Sequence, residues 1–384
     1  VEDSIPEEMR RQIEALLEDK RLRSPTQRKI DSQLLYAQRL RLGLPAAPDV
    51  PALEVDLDLD AEDRVLVDID ATVDDPFLAA LDHAGGFVTF ASTELGAVRA
   101  WLRWESIESL AARPEIQFIR AAVRATTNVG TLTSQGDVTH RADIARATYG
   151  VTGAGVKVGV ISDSVDHLEA SQASGDLGTV TILPGQSGLG QNNSGEGTAM
   201  LEIVHDLAPD AALHFASAFN GPASFAQNIR DLRFKSGCDI IVDDVLYFNE
   251  SPFQDGVIAQ AANDVTANGA LFFSSAANSG NKSDGQSGTW EGDFLDSGKT
   301  FTVDNEQKPA HAFGSNPYNT AASGGSSGRI DLFWADPLGG SANDYDVFVT
   351  SSSGTVVGAG TNPQTGTHDP YEPVNKLEVG QRVY

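Results

Sequence analysis

Three polar side chains lie where predicted strands end or a predicted helix begins. Asp163 follows a strand, Glu196 opens a helix, and Asn278 follows a later strand. Ligands of an open parallel sheet bind beyond the carboxyl ends of its strands, so we expect these side chains at one site. Carboxyl groups placed together can take up and release protons as general acids and bases. Residue types alone leave two interpretations open: a catalytic site, or chance placement of three polar loop residues.

Two further carboxylates, Asp243 and Asp244, end another predicted strand, next to Val245. We assign substrate binding to Asp244, whose negative charge would favour basic side chains. Binding of an ion and simple solvation are the alternatives.

Other candidates have simpler structural interpretations. Three histidines are alternative bases, but positions in a loop, on a helix and in a strand favour structural roles: His167, His205 and His214. The segment 190–198 has the glycine spacing of a phosphate loop, but Glu196 replaces the lysine and would repel phosphate. The run 343–346, Asn-Asp-Tyr-Asp, offers oxygen ligands for calcium, with a surface turn as the alternative. We predict no cofactor and, at most, a structural calcium ion.

The elements that must position these residues alternate between strands and helices. The predicted strands are 156–161, 212–216, 239–242 and 270–275, and the predicted helices are 197–207, 225–235 and 257–268. The first strand is a continuous apolar, β-branched run, which is typical of a strand buried on both faces. Alternation at this spacing indicates right-handed βαβ units, and therefore an α/β domain with a parallel sheet at residues 126–300.

Four blocks of this domain, in order over residues 143–281, resemble the subtilisin-like peptidases. Residues 153–164 (GAGVKVGVISDS) resemble the strand bearing the catalytic aspartate, and 195–200 (GEGTAM) resemble the segment that normally reads His-Gly-Thr. Residues 207–211 (LAPDA) match the Ala-Pro-x-Ala that follows this helix, and 275–280 (SAANSG) resemble the block of the oxyanion asparagine. The resemblance implies a serine-type endopeptidase that hydrolyses polypeptide substrates.

The chain departs from this family at three points. Glu196 stands where subtilisins have histidine, and glutamate there is the hallmark of the related sedolisins, the serine-carboxyl peptidases. An ungapped alignment places Ser162 at the aspartate position, and a one-residue shift places Asp163 there. We choose Asp163, because only a carboxylate can be the acid partner of Glu196. The nucleophile block Gly-Thr-Ser-x-Ala is absent from residues 1–384, so we expect the serine beyond Tyr384 or missing.

The resemblance implies Glu196 as general base, Asp163 as its partner and Asn278 as oxyanion donor. A free glutamate titrates near ~4.3, and two carboxyl groups that share a proton have one raised apparent pKa. We therefore expect a more acidic pH optimum than that of a Ser-His-Asp enzyme. The chain alone is predicted to be an inactive fragment. The alternative is a non-catalytic binding or scaffold protein with the subtilase fold.

Three further segments flank or follow the predicted catalytic domain. Residues 1–45 predict a solvated helical arm. Residues 46–125 predict the order strand, helix, strand, helix, strand, which suits an α+β module of the ferredoxin-like kind. This module resembles the inhibitory propeptide of the family, which implies an intramolecular inhibitor. Residues 301–384 contain short strands between Gly, Ser, Asn and Pro, which indicate an inserted antiparallel β-sandwich. It resembles an accessory domain of some secreted subtilases.

Composition excludes several classes of protein. The 27 basic and 54 acidic residues give a formal charge of −27, which argues against nucleic acid and anionic membranes as partners. No run of about 18 apolar residues is present, so no membrane-spanning helix is expected. The one cysteine, Cys238, excludes an intramolecular disulfide and a multi-cysteine zinc site, and we expect it to be buried. The chain begins at Val1 rather than methionine, and we expect it to be cut from a longer protein that is secreted or held at the cell envelope.

Overall fold

A computed structural model describes residues 5–51, 53–123, 126–127, 135–190, 193–278, 280–285, 287–322 and 325–384. The chain divides into two compact units. The first comprises Val1–Ala122, Ser251–Gln254 and Gly280–Tyr384, and the second comprises Val123–Glu250 and Asp255–Ser279.

The first unit begins with two helices, α1 (Glu7–Leu22) and α2 (Ser32–Arg41), separated by a 3₁₀ turn (Gln27–Lys29). Acidic residues in the first turn of α1 and basic residues in its last turn complement the helix dipole. The expectation of a solvated arm is wrong for one face, because the apolar stripe of α1 is buried in a core shared with residues 301–359. Helical spacing revealed the stripe but not its distant partner.

An α+β module follows in the first unit. Its elements are β1 (Val65–Ala71), α3 (Asp75–His83), β2 (Phe87–Ser92), β3 (Ala97–Leu102), α4 (Trp104–Ala111) and β4 (Ile116–Ala121). The antiparallel sheet has the order β2-β3-β1-β4, so the module has the β-α-β-β-α-β topology of the ferredoxin-like fold. Strand β3 is absent from the sequence interpretation. Its centre carries Arg99, whose paired bonds to Asp68 offset the burial of charge.

The second unit carries the parallel sheet. Its elements are β5 (Thr126–Thr127), α5 (Gly136–Thr139), α6 (Ala142–Tyr149), β6 (Lys157–Ser162), α7 (Leu168–Ser174), β7 (Val180–Ile182), α8 (Glu196–Leu207), β8 (Ala212–Ser217), α9 (Pro222–Phe234), β9 (Ile240–Asp243), β10 (Val245–Leu246), α10 (Val257–Ala267) and β11 (Leu271–Ser274). Five strands pair in parallel in the order β11-β9-β6-β8-β7. This confirms the predicted α/β class with a parallel sheet.

Apolar residues on both faces of β6 hold this sheet between helices. Val158 and Val160 pack in a core with Leu201 of α8. Ile161 belongs to a second core with Ile229 of α9, and that core also contains residues of α10. Burial on both faces explains the continuous apolar run of β6. Cys238 is fully buried in the second core, as expected.

The rest of the first unit is antiparallel β structure. Its strands are β12 (Asp296–Val303), β13 (Glu306–His311), β14 (Asn319–Thr320), β15 (Gly325–Phe333), β16 (Val347–Thr350), β17 (Val356–Gly360), β18 (Tyr371–Leu377) and β19 (Arg382–Val383). They form sheets of order β12-β13, β14-β19-β16-β17 and β15-β18. Val347 and Val349 of β16 share a core with Val374 and Leu377 of β18. We call residues 296–384 the β region. Among the described residues, no helix combines the length and apolarity needed to cross a membrane.

Candidate active site

The carboxyl end of β6 places two polar residues at the edge of the parallel sheet. Ser162 is the last residue of the strand and is fully buried, whereas the half-buried Asp163 lies one residue beyond the strand. The backbone carbonyl of Asp163 accepts a hydrogen bond from the Ser217 hydroxyl at the end of β8, at 3.1 Å. The loop after β6 is therefore attached to the neighbouring strand.

The Asp163 carboxylate contacts the beginning of α8. Its Oδ1 accepts hydrogen bonds from the amide of Ser164 and from the amide of Gly197, the latter at 3.3 Å. Its Oδ2 accepts a hydrogen bond from the Ser194 hydroxyl. The Gly197 amide belongs to the first turn of α8, whose amides have no partner within the helix and are available to an oxygen acceptor such as Asp163.

Glu196 is the first residue of α8 and is half-buried between two glycines. Gly195 has a left-handed φ of 64°, which a residue with a side chain rarely adopts. A Cβ atom at Gly195 would clash with the Asp166 carbonyl, and one at Gly197 would clash with the Ser164 carbonyl. The two glycines therefore permit the close approach that brings Glu196 next to the Asp163 loop, which we define as residues 163–167.

Sequence reasoning missed the residues that hold this loop in place. The buried Asp166 accepts a hydrogen bond from the Ser164 hydroxyl at 3.0 Å and another from the Gly190 amide at 3.2 Å. The Asp166 carbonyl accepts a hydrogen bond from the Thr198 hydroxyl at 2.8 Å. The Asp-Ser-Val-Asp spacing of residues 163–166 is the sequence signal that could have indicated a side-chain-stabilised turn.

Asp243 and Asp244 lie at the end of β9, between β6 and β11. Asp243 pairs with Ile161 on one side and with Ser274 on the other. It is 5% exposed, and its Oδ1 accepts hydrogen bonds from the Ser274 hydroxyl at 3.0 Å and the Val245 amide at 3.2 Å. Burial raises the pKa of the Asp243 carboxyl to about 6, although the two hydrogen bonds act to lower it. Asp244, the predicted substrate-binding residue, is half-buried.

The two residues after Asp244 already pair with another segment. Strand β10 pairs antiparallel with β5, with Val245 opposite Thr127 and Leu246 opposite Thr126. An extended segment of the chain thus lies as an added strand beside the sequence-predicted substrate-binding residue. This mode of pairing is the one by which extended peptides bind sheet edges.

Asn278 lies four residues beyond β11, and its side chain is exposed. Ala277, directly before it, has a φ of 58°, so the turn that presents Asn278 is in the left-handed region. β9 separates β11 from β6, which places the two strand ends about 10 Å apart at ordinary strand spacing. The fold therefore brings Asp163 and Glu196 into adjacent positions, and it places Asp244 and Asn278 at the same edge of the sheet.

The three histidines occupy different places. His214 is buried in β8 opposite Gly159, three residues before the strand end, and burial lowers the pKa of its imidazole. His205 lies in the last turn of α8. His167 is exposed, and its Nε2 lies 3.2 Å from the Asn193 carbonyl.

The run 343–346 lies in the β region. The Nζ atom of Lys20 lies 2.7 Å from Oδ1 of Asp344 and 2.8 Å from Oδ1 of Asp346. The lysine ammonium is therefore the cation that these two carboxylates hold. Among the described residues, no group of three or more histidine, cysteine or acidic side chains could hold a metal ion.

Comparisons with known proteins give structural neighbours only. No protein-family model matches the sequence, and no curated protein matches it. Two solved structures of the epidermin leader peptide processing serine protease (EpiP) from Staphylococcus aureus are 14% and 15% identical, with TM-scores of 0.39 and 0.38. Each match covers 56% of this chain and 61% of that chain. Fervidolysin from Fervidobacterium pennivorans, a keratinolytic enzyme related to subtilisin, is 12% identical with a TM-score of 0.33, and 83% of this chain matches 53% of that one. EpiP is a serine protease by its printed name, but at such identities and scores no residue role is transferred from any of these neighbours.

Proposed function

We propose that this chain is part of a serine-type endopeptidase of the subtilisin/sedolisin type. Glu196 is the general base, Asp163 its acid partner, Asn278 the oxyanion donor and Asp244 a substrate-binding residue. The observation that carries the proposal is the contact of the Asp163 carboxylate with the Gly197 amide, at 3.3 Å, which places the carboxyl group beside the residue that follows Glu196. The two flanking glycines make this approach possible.

The reaction would be acyl transfer with a serine nucleophile from outside residues 1–384. Glu196 takes the proton of the serine hydroxyl as the oxygen attacks the peptide carbonyl, and the proton then passes to the leaving amine. Asp163 holds or shares the proton in the carboxyl pair. Asn278 donates a side-chain N–H to the oxyanion of the tetrahedral intermediate.

Two features of the second unit support this assignment. β5, directly after the module at 46–125, pairs with β10 as a substrate strand would, which supports an intramolecular inhibitor. Leu271 and Phe273 of β11 are each 56% exposed, although parallel sheets normally have both faces covered. Further chain that covers β11 would also be a source of the nucleophile. We also propose that the protein is secreted or held at the cell envelope.

The test uses the natural full-length protein that contains this chain. Peptide hydrolysis is measured from pH 3 to 9 for the wild type and for Glu196→Gln, Asp163→Asn and Asn278→Ala. Loss of the base is expected to lower kcat by about 10²–10⁴-fold, and loss of the oxyanion donor by about 10²–10³-fold. Glu169→Gln, which changes an exposed glutamate of α7, is the matched control and is expected to retain full activity.

The proposal also predicts labelling by a serine-directed phosphonate and an optimum on the acidic side of neutrality. An optimum above pH 8, or full activity of Glu196→Gln, would refute the assignment of the base. A full-length protein that is neither labelled nor active would instead support the non-catalytic scaffold.

A further inference from the structure

We call residues 5–51 and 53–55 the N-terminal segment. This segment and the β region share one hydrophobic core within the first unit. Met9, Ile13 and Leu16 of α1 are fully buried there, together with Tyr36 of α2. The β region supplies six members of the same core: Phe301, Val303, Ala310, Phe348, Val356 and Ala359. These partners are about three hundred residues apart in sequence, so the core exists only when both segments are folded together.

Backbone groups of the β region depend on side chains of the N-terminal segment. The Val356 amide donates to Gln12 Oε1 at 2.9 Å, and the Thr302 amide donates to Glu14 Oε1 at 2.6 Å. Gln33 Nε2 donates to the Ala359 carbonyl at 2.7 Å. Buried backbone groups that lose such partners destabilise a fold, so departure of the segment would leave β17 with unsatisfied groups.

Two buried cations of the N-terminal segment contact the β region across the same interface. Lys20 is 7% exposed and lies between Asp344 and Asp346, as described above. Arg23, 3% exposed, donates to the Thr361 carbonyl at 2.8 Å and to the Tyr36 hydroxyl at 3.0 Å. Separation of the segment would leave Asp346, whose side chain is only 16% exposed, without its cation, which is unfavourable.

The same segment is also attached to the α+β module. Ile30, Leu34 and Leu35 belong to the core of the module sheet, and the Asp31 amide donates to the Ile119 carbonyl of β4 at 2.9 Å. The segment therefore holds the module and the β region in one unit, as the division of the chain also indicates.

We infer that residues 5–51 and 53–55 are a permanent structural part of the β region, so that cleavage after Ala122 does not release the N-terminal piece. A propeptide-like module would normally be expected to leave after cleavage. Here the N-terminal segment covers the β region of its own chain, so the two cleaved pieces remain together as a heterodimer. This inference is independent of whether the protein is a peptidase.

The test inserts a site for a sequence-specific protease between Ala122 and Val123 of the 384-residue chain. After complete cleavage at neutral pH, the two pieces are expected to co-elute in equal amounts on size-exclusion chromatography, at low salt and at 1 M salt. Amides of residues 347–360 are expected to keep their protection against hydrogen exchange. Separation of the pieces, or loss of that protection without unfolding of the rest, would overturn the inference.

Urea titration of the cleaved protein gives a second measurement. Release of residues 1–122 and unfolding of the β region are expected at the same urea midpoint. Release of residues 1–122 at a lower urea concentration than unfolding of the β region would contradict the inference. Lys20→Met is expected to lower both midpoints together. Lys308→Met, which changes an exposed lysine of the same unit, is the control and is expected to leave them unchanged. If Lys20→Met does not fold, the cleaved wild type still decides between the two outcomes.

Discussion

Asp243 is expected to make the second unit more stable in acid than at neutral pH. Its carboxyl has a pKa of about 6 in the folded chain, against an ordinary value of 3.8. Below the ordinary value, both the folded and unfolded chains hold the proton. Between pH 3.8 and about 6 the unfolded chain gives it up while the folded chain keeps it, so stability falls as pH rises through this window.

The size of the effect follows from the shift. One pKa unit corresponds to about 1.4 kcal/mol, so the pKa shift of Asp243 corresponds to about 3 kcal/mol lost by pH 7. The variant Asp243→Asn keeps an oxygen that can accept the hydrogen bonds from Ser274 and Val245 but does not ionise. It is therefore expected to be about 2–3 kcal/mol more stable than the wild type at pH 7.5, with the advantage lost near pH 4.

Urea unfolding at pH 4 and pH 7.5 measures this directly, with the free energy of unfolding extrapolated to water. Asp210→Asn, at an exposed position of the same unit, serves as control and is expected to show no comparable pH-dependent gain. An equal effect of Asp243→Asn at both pH values, or destabilisation at pH 7.5, would refute the argument that burial of this carboxyl opposes its ionisation.

Three further predictions concern packing and charge. Gly197→Ala is expected to destabilise the second unit by about 1–3 kcal/mol because its Cβ meets the Asp163 loop, whereas Gly178→Ala, with its nearest atom 3.9 Å away, is expected to be nearly neutral in thermal unfolding. Arg99→Met is expected to lower the free energy of unfolding by about 3–5 kcal/mol, because it leaves Asp68 without its buried partner. Denaturant titration measures this, and the double variant Arg99→Met/Asp68→Asn is expected to be more stable than Arg99→Met alone. A double variant of equal or lower stability would contradict the prediction. Ile13→Ala is expected to cost about 2–5 kcal/mol and to lower hydrogen-exchange protection in the β region as well as in α1.

Local patterns predicted much of the second unit. The apolar β-branched run at β6 and its alternation with helices determined a parallel sheet, because burial on both faces requires such runs and crossover helices follow them. The same alternation placed Asp163, Glu196 and Asn278 at one edge, and the structure has them there. Their chemical roles stay predictions.

The module at 46–125 shows where local patterns stop. Two helices and three strands were expected, and β3 was missed because its run Ala-Val-Arg-Ala-Trp-Leu puts a charged residue at its centre. The structure resolves this by the paired hydrogen bonds from Arg99 to Asp68, at 2.7 Å each. A charge that is buried with its partner cannot be distinguished from an exposed one by pattern alone.

The sequence by itself determined the α/β class with its parallel sheet and the edge of the sheet where polar residues collect. Only the tertiary structure decided that Asp243 rather than Asp244 is the buried carboxyl, that Lys20 is the cation of Asp344 and Asp346, and that α1 packs on the β region. The reason is physical: periodicity reports which face of an element is apolar, whereas burial, pKa and ion pairing depend on which distant segment covers that face.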